Sequence, residues 1–102
     1  MEKQIKSAMI KRLEKKIVPI LKQNGVAKAG IFGSYARGDY NKKSDVDILI
    51  QVKKGIKFSL FDLAGLEMDL EKELRKKVDL LTYNGINKHL KKYILSDEVR
   101  II

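Results

Sequence analysis

The sequence has no cysteine, no tryptophan, one proline and one histidine. Without cysteine, disulfides and thiolate metal sites are excluded, and a lone histidine argues against a histidine-based metal centre. No run approaches the roughly 18 apolar residues that a membrane span needs. Internal repeats, low-complexity tracts and linkers are absent as well. The opening stretch, MEKQIKSAMIKRLEKK, is charged throughout and has no continuous apolar segment, which argues against a signal peptide. A cytoplasmic location is the expectation.

What the chain does have is enough apolar residue for a core. It is 102 residues long and 44% apolar, the size and composition of one folded domain spanning 1–102. Its formal charge is +9, unevenly spread. Residues 1–60 carry 14 Lys/Arg against 5 Asp/Glu, whereas residues 61–102 carry 8 of each. Such a field attracts nucleotides, nucleic acid or an acidic partner. The same lysines also describe an ordinary solvated surface of the thermophile kind.

Apolar periodicity predicts the elements. Ile5, Met9, Leu13, Ile17 and Leu21 recur every four residues and form one face of a helix over about 2–23, with a kink or a separate last turn expected at Pro19 and a stop at Asn24-Gly25. Strands follow over Val26–Phe32 and over Val46–Val52 (VDILIQV), the second rich in β-branched residues. Ser59 and Asp62 read as a capping box for a helix over 60–76, with Leu60, Leu63, Leu66, Leu70 and Leu74 on one face and Phe61, Ala64 and Met68 widening it. A third strand is predicted over Val78–Tyr83, a short helix over 86–95, and a fourth strand in VRII. Strands alternating with helices give an α/β or α+β layer fold, a short mixed sheet flanked by helices.

Chemistry concentrates in FGSYARGDYNKKSDVD, residues 32–47. Side chains two apart on a strand share a face, so Asp45 and Asp47 project together while Val46, Ile48 and Ile50 enter a core. Adjacent carboxylates repel, and a divalent cation relieves the repulsion; Mg²⁺ favours carboxylates together with substrate phosphates. A hydrated pair of acids at a strand end is the plainer alternative. Gly33 and Ser34 sit where a strand turns into a helix, and unpaired N–H groups there can hold an anion, although Ser34 can equally serve as a cap alone. Arg37 can reach a phosphate or pair with Asp45 or Asp47. Gly38 ends the short helix, and Asp39 is a surface acid. Ser44 either holds the turn or touches a nucleotide. Asp79 stands among apolar neighbours in VDLL, where a carboxylate needs a partner or a metal. If its strand lies beside the one bearing Asp45 and Asp47, three carboxylates face a phosphate-binding turn, the layout of two-metal phosphoryl transfer. Pairing of Asp79 with Lys77 or Arg37 is the other reading. His89 and Tyr93, four apart on the last predicted helix, are expected to be solvated and in the core, respectively.

Gly33-Ser34-Tyr35-Ala36-Arg37-Gly38-Asp39, then Ser44-Asp45-Val46-Asp47-Ile48-Leu49, then Val78-Asp79-Leu80, resembles the nucleotidyltransferase superfamily of DNA polymerase beta, and within it the minimal nucleotidyltransferases that are often paired with HEPN-domain toxins. The resemblance runs from the leading helix to the last strand. It implies transfer of a nucleoside monophosphate from a triphosphate to a hydroxyl with release of pyrophosphate. It implies Asp45, Asp47 and Asp79 as catalytic residues and ligands of two Mg²⁺ ions, with Gly33, Ser34, Arg37 and Ser44 around the nucleotide. For antitoxin members it implies ATP as substrate and AMP attached to a HEPN-type protein. Two positions depart from the pattern: many relatives have a glycine just before the third strand, where this chain reads Leu74-Arg75-Lys76-Lys77, and many end on an aromatic, where it ends Ile101-Ile102. A catalytically vestigial module that neutralises a partner by contact is a second reading. Direct nucleic-acid binding ranks third, since no aromatic falls in an RNA-stacking pattern.

Overall fold

The computed structural model describes residues 6–102. Ile5, placed above on the first helix, lies outside them. The chain is α+β: a four-stranded mixed sheet with helices, in the order α1 (Ala8–Gln23), β1 (Val26–Phe32), α2 (Gly33–Arg37), β2 (Val46–Val52), α3 (Leu60–Leu74), β3 (Val78–Thr82), α4 (Lys91–Asp97) and β4 (Val99–Arg100). The first helix starts later than its periodicity suggests, because the Ser7 hydroxyl accepts from the Ile10 N–H and caps it there. It runs continuously through Pro19, so the predicted separate turn does not form. The carbonyl that Pro19 leaves without a donor belongs to Lys15, an exposed residue open to water.

The strands lie in the order β3-β2-β1-β4, with β1 antiparallel to both β2 and β4, and β2 parallel to β3. One face is apolar. Ala29 and Ile31 of β1, Val46, Ile48 and Ile50 of β2, and Val78 and Leu80 of β3 pack with Ile10, Leu13, Ile17 and Leu21 of α1 and with Leu66, Leu70 and Leu74 of α3. Fully burying one such side chain contributes about 1.5–3 kcal/mol, so this cluster is the main source of stability. Phe32 and Leu49 are buried too but stand outside that cluster. They belong to the alternate positions, which face the other way together with Asp47 and Asp79.

Two helices differ from expectation. Leu60, Phe61 and Met68 are 82%, 90% and 67% exposed, while Leu63 is partly buried against the core and Leu66, Leu70 and Leu74 are buried in it. At the C-terminal end, Asn87 accepts the His89 N–H on its side chain and the Lys91 N–H on its carbonyl, and α4 begins only at Lys91. His89 therefore lies in a turn, and Tyr93, expected in the core, is 69% exposed.

Candidate functional site

The site lies where β1 ends and β2 begins. Phe32, Asp47 and Asp79 are register partners across the three neighbouring strands β1, β2 and β3. The parallel pairing of β2 with β3 thus brings Asp79 from a distant part of the chain to the side of Asp47. A proton on either one lets the two carboxyls hydrogen-bond to each other. Asp47 is half-buried and its carboxyl is raised from 3.8 to about 6. Loss of solvent is the first cause, followed by the charge of Asp79, the hydrogen bond to it, and the charge of Asp45; Arg37 acts weakly in the other direction. Asp45 immediately precedes β2 and is partly exposed, while Asp79 is exposed.

Gly33 follows Phe32 directly and takes φ +72. That left-handed conformation suits glycine, and space requires it as well: a Cβ here would overlap the Asp47 carboxylate. The turn that opens α2 and the acid of β2 therefore touch. The first N–H groups of this one-turn helix have no partner within it. Phe32 is its N-cap and no side chain caps it, so Ser34 does not take the capping role. Its hydroxyl makes no hydrogen bond among the described residues. Gly38, at φ +92, ends the helix as expected.

Arg37 is held elsewhere than on the three acids. Its Nη1 donates to Asp97 Oδ2 at 2.8 Å and its Nε to Asp39 Oδ2 at 3.2 Å. Neither Asp45 nor Asp47 receives an ion pair from it, and Asp79 pairs with neither Arg37 nor Lys77. Asp97, sixty residues away, carries no sequence signal for this role. Ser44 holds the turn: its Oγ accepts from the Asn41 N–H at 2.8 Å and its own N–H donates to the Asn41 carbonyl at 3.1 Å. Tyr35 and Tyr40 stack at 4.5 Å and brace the loop between α2 and β2.

Among the described residues no ion pair neutralises Asp45, Asp47 or Asp79, and no three acids or histidines are closed into a metal-binding cluster. The structure brings two acids together and leaves the third beside them. Mg²⁺ suits this donor set, because it is commonly bound by one or two carboxylates plus substrate phosphates rather than by an all-protein cage. Sequence reasoning missed Glu67 and Glu71 of α3, whose carboxylates accept the N–H groups of Leu80 and Val78 on either side of Asp79. Their spacing of four on the flank of the buried leucine stripe was the available signal.

Residues 14–102 match the nucleotidyltransferase domain family. A Methanocaldococcus jannaschii protein with the provisional name protein adenylyltransferase MJ0435 is 46% identical over 93 residues, covering 91% of this chain and 98% of its own. Among solved structures, a chain of a toxin–antitoxin complex with AMP-PNP superposes with a TM-score of 0.77 at 23% identity, over 87% of this chain and 72% of that one. A chain from a complex of tri-AMPylated Shewanella oneidensis HEPN toxin with MNT antitoxin gives 0.71 at 20% identity, over 90% of this chain and 71% of that one. At such identities these two speak to the fold.

Proposed function

The chain belongs to the nucleotidyltransferase domain family, in its minimal branch, and from that premise we propose that it moves AMP from ATP to a hydroxyl of a HEPN-type protein, as the antitoxin of such a pair. The observation that carries this reading is the contact of the Gly33 turn with Asp47, itself in register with Asp79. Triphosphate oxygens lie against the N–H groups at the start of α2 and the Ser34 hydroxyl. The acceptor oxygen attacks the α-phosphorus on the side away from pyrophosphate. A new P–O bond forms to the acceptor, the bond to the β-phosphate oxygen breaks, and pyrophosphate leaves with that electron pair. Asp79, the more exposed acid of the pair, takes the acceptor proton. Asp45 and Asp47, with Asp79, would hold Mg²⁺, which when bound offsets charge on the phosphoryl oxygens.

Supporting the protein partner are the wide apolar surfaces of Leu60, Phe61 and Met68, which a solvated helix has little reason to display. The same surface favours the second reading, neutralisation by contact alone. One experiment separates the two: the chain is mixed with α-labelled ATP, Mg²⁺ and a HEPN-type partner. Label on a partner hydroxyl, reduced at least about 100-fold by Asp47→Asn, is the expected result. Tight association without label would leave only the contact reading, and full labelling by Asp47→Asn would remove the site assignment.

A further inference from the structure

We propose that Glu67 and Glu71 are positioning residues for this reaction, tying β3 to α3 so that Asp79 is held beside Asp47; the inference rests on the transferase reading above. Among the described residues the strand β3 is an edge, paired with β2 alone. In a parallel ladder alternate N–H groups point outward, and here those belong to Val78 and Leu80. Neither is left to water. Glu71 Oε2 accepts from the Val78 N–H and Glu67 Oε2 from the Leu80 N–H, each at 3.0 Å. Asp79 is the residue between them.

The two acceptors form a ruler. Four residues of helix rise about 6 Å and two residues of strand about 6.6 Å, so an i, i+4 pair on α3 matches the outward N–H groups of β3. The helix runs opposite to the strand, since the later glutamate meets the earlier N–H. Leu66, Leu70 and Leu74 anchor α3 in the core and fix the ruler against the sheet. A slip of β3 by two residues would keep the same face inward while placing Leu81 or Lys77 opposite Asp47, and would put Thr82 in the place of Leu80 or Lys76 in the place of Val78. The paired glutamates add to this by giving the Val78 and Leu80 N–H groups of an edge strand their acceptors, which ties β3 to α3 on both sides of Asp79.

Two double variants test this. Glu67→Gln with Glu71→Gln keeps an acceptor oxygen at each position without charge, whereas Glu67→Met with Glu71→Met removes it at similar length. The Gln pair should retain kcat within about threefold, while the Met pair should lose about 100-fold in kcat with KM for ATP nearly unchanged. Ile17→Val, a core change away from β3, serves as a destabilised control that keeps kcat. Cross-strand nuclear Overhauser contacts between the Asp47 and Asp79 regions report register without any acceptor: they should persist in the Gln pair and vanish or shift in the Met pair. If those contacts survive in the Met pair, or if the Gln and Met pairs lose kcat alike, the positioning role is wrong. A wild type that labels no partner yet shows the expected contact pattern would instead overturn the transferase reading.

Discussion

At the scale of single residues, the site is built from groups whose environments work against stability. Asp47 has its carboxyl raised from 3.8 to about 6, so the folded protein holds that proton more tightly than the unfolded chain does. Stability from this group is full below pH 3.8 and is lost as the pH rises through about 6. Because the group is only half-buried, solvent screening reduces the expected loss to about 1 kcal/mol. Asp47→Asn should therefore gain about 1 kcal/mol on the wild type between pH 4.5 and 7.5 in urea titrations while losing transfer; parallel pH profiles for the two proteins would refute this. Gly33→Ala should cost about 2–3 kcal/mol, from the left-handed backbone plus overlap with the Asp47 carboxylate. Ser34→Ala, which removes no cap, should change unfolding free energy by less than about 0.5 kcal/mol while still impairing nucleotide binding. Asp45, Asp47, Gly33 and Ser34 were legible because they sit close together with strand-and-turn spacing. The engagement of Arg37 by Asp97 was not, since only the folded chain brings α4 against α2.

At the scale of elements, strands were easier to read than helix faces. Alternation by two assigns each strand residue to a side outright, and β1, β2 and β3 fall within a residue of their predicted spans. A helix turns 100° per residue, so Leu60 lies about 80° from the centre of the Leu66–Leu70–Leu74 stripe, and Phe61 and Met68 lie about 180° and 160° from it. Grouping them as one wide face was the error; Leu60 lies on the flank of the stripe, and Phe61 and Met68 form the opposite face. The start of α4 was lost for a different reason, a side-chain acceptor on Asn87 that competes with the helix. The departure at Arg75, by contrast, has a structural consequence. Arg75 closes α3 at φ +54, in the left-handed region that glycine adopts at least cost. Its N–H still bonds to the Glu71 carbonyl at 2.8 Å, so the turn forms despite the side chain. Arg75→Gly should stabilise the protein by about 0.5–1 kcal/mol, the relief of left-handed strain outweighing the added freedom of the unfolded chain. A lower unfolding midpoint for the variant would show that the Arg75 side chain contributes more than its backbone costs.

At the scale of the whole molecule, the site draws on both halves of an uneven charge distribution. Asp45 and Asp47 come from the +9 half and Asp79 from the neutral half. Their meeting depends on the long-range parallel pairing of β2 with β3. That pairing could be supposed from the sequence but not fixed by it, because nothing local states which strands are neighbours. The excess charge lies partly beside the acids: Lys42 and Lys43 are exposed on the loop that leads into Asp45. Three uncompensated carboxylates would repel a triphosphate, so a positive surround is needed to bring it in. The molecule measures 34 × 29 × 26 Å, comparable with a few Debye lengths of about 10 Å at 0.1 M salt, so such steering acts at low salt and fades at high salt. Raising salt from about 0.02 to 0.5 M should slow triphosphate association by roughly tenfold with little change in dissociation. Lys42→Glu with Lys43→Glu should lower the low-salt association rate about three- to tenfold and flatten its salt dependence. The same reversal at Lys11 and Lys15, exposed on α1, should do less, because α1 lies on the opposite face of the sheet from Asp47. Stopped-flow binding of a fluorescent ATP analogue measures all three rates. Equal effects from the two double variants would mean that net charge alone, rather than its placement beside the acids, governs nucleotide capture.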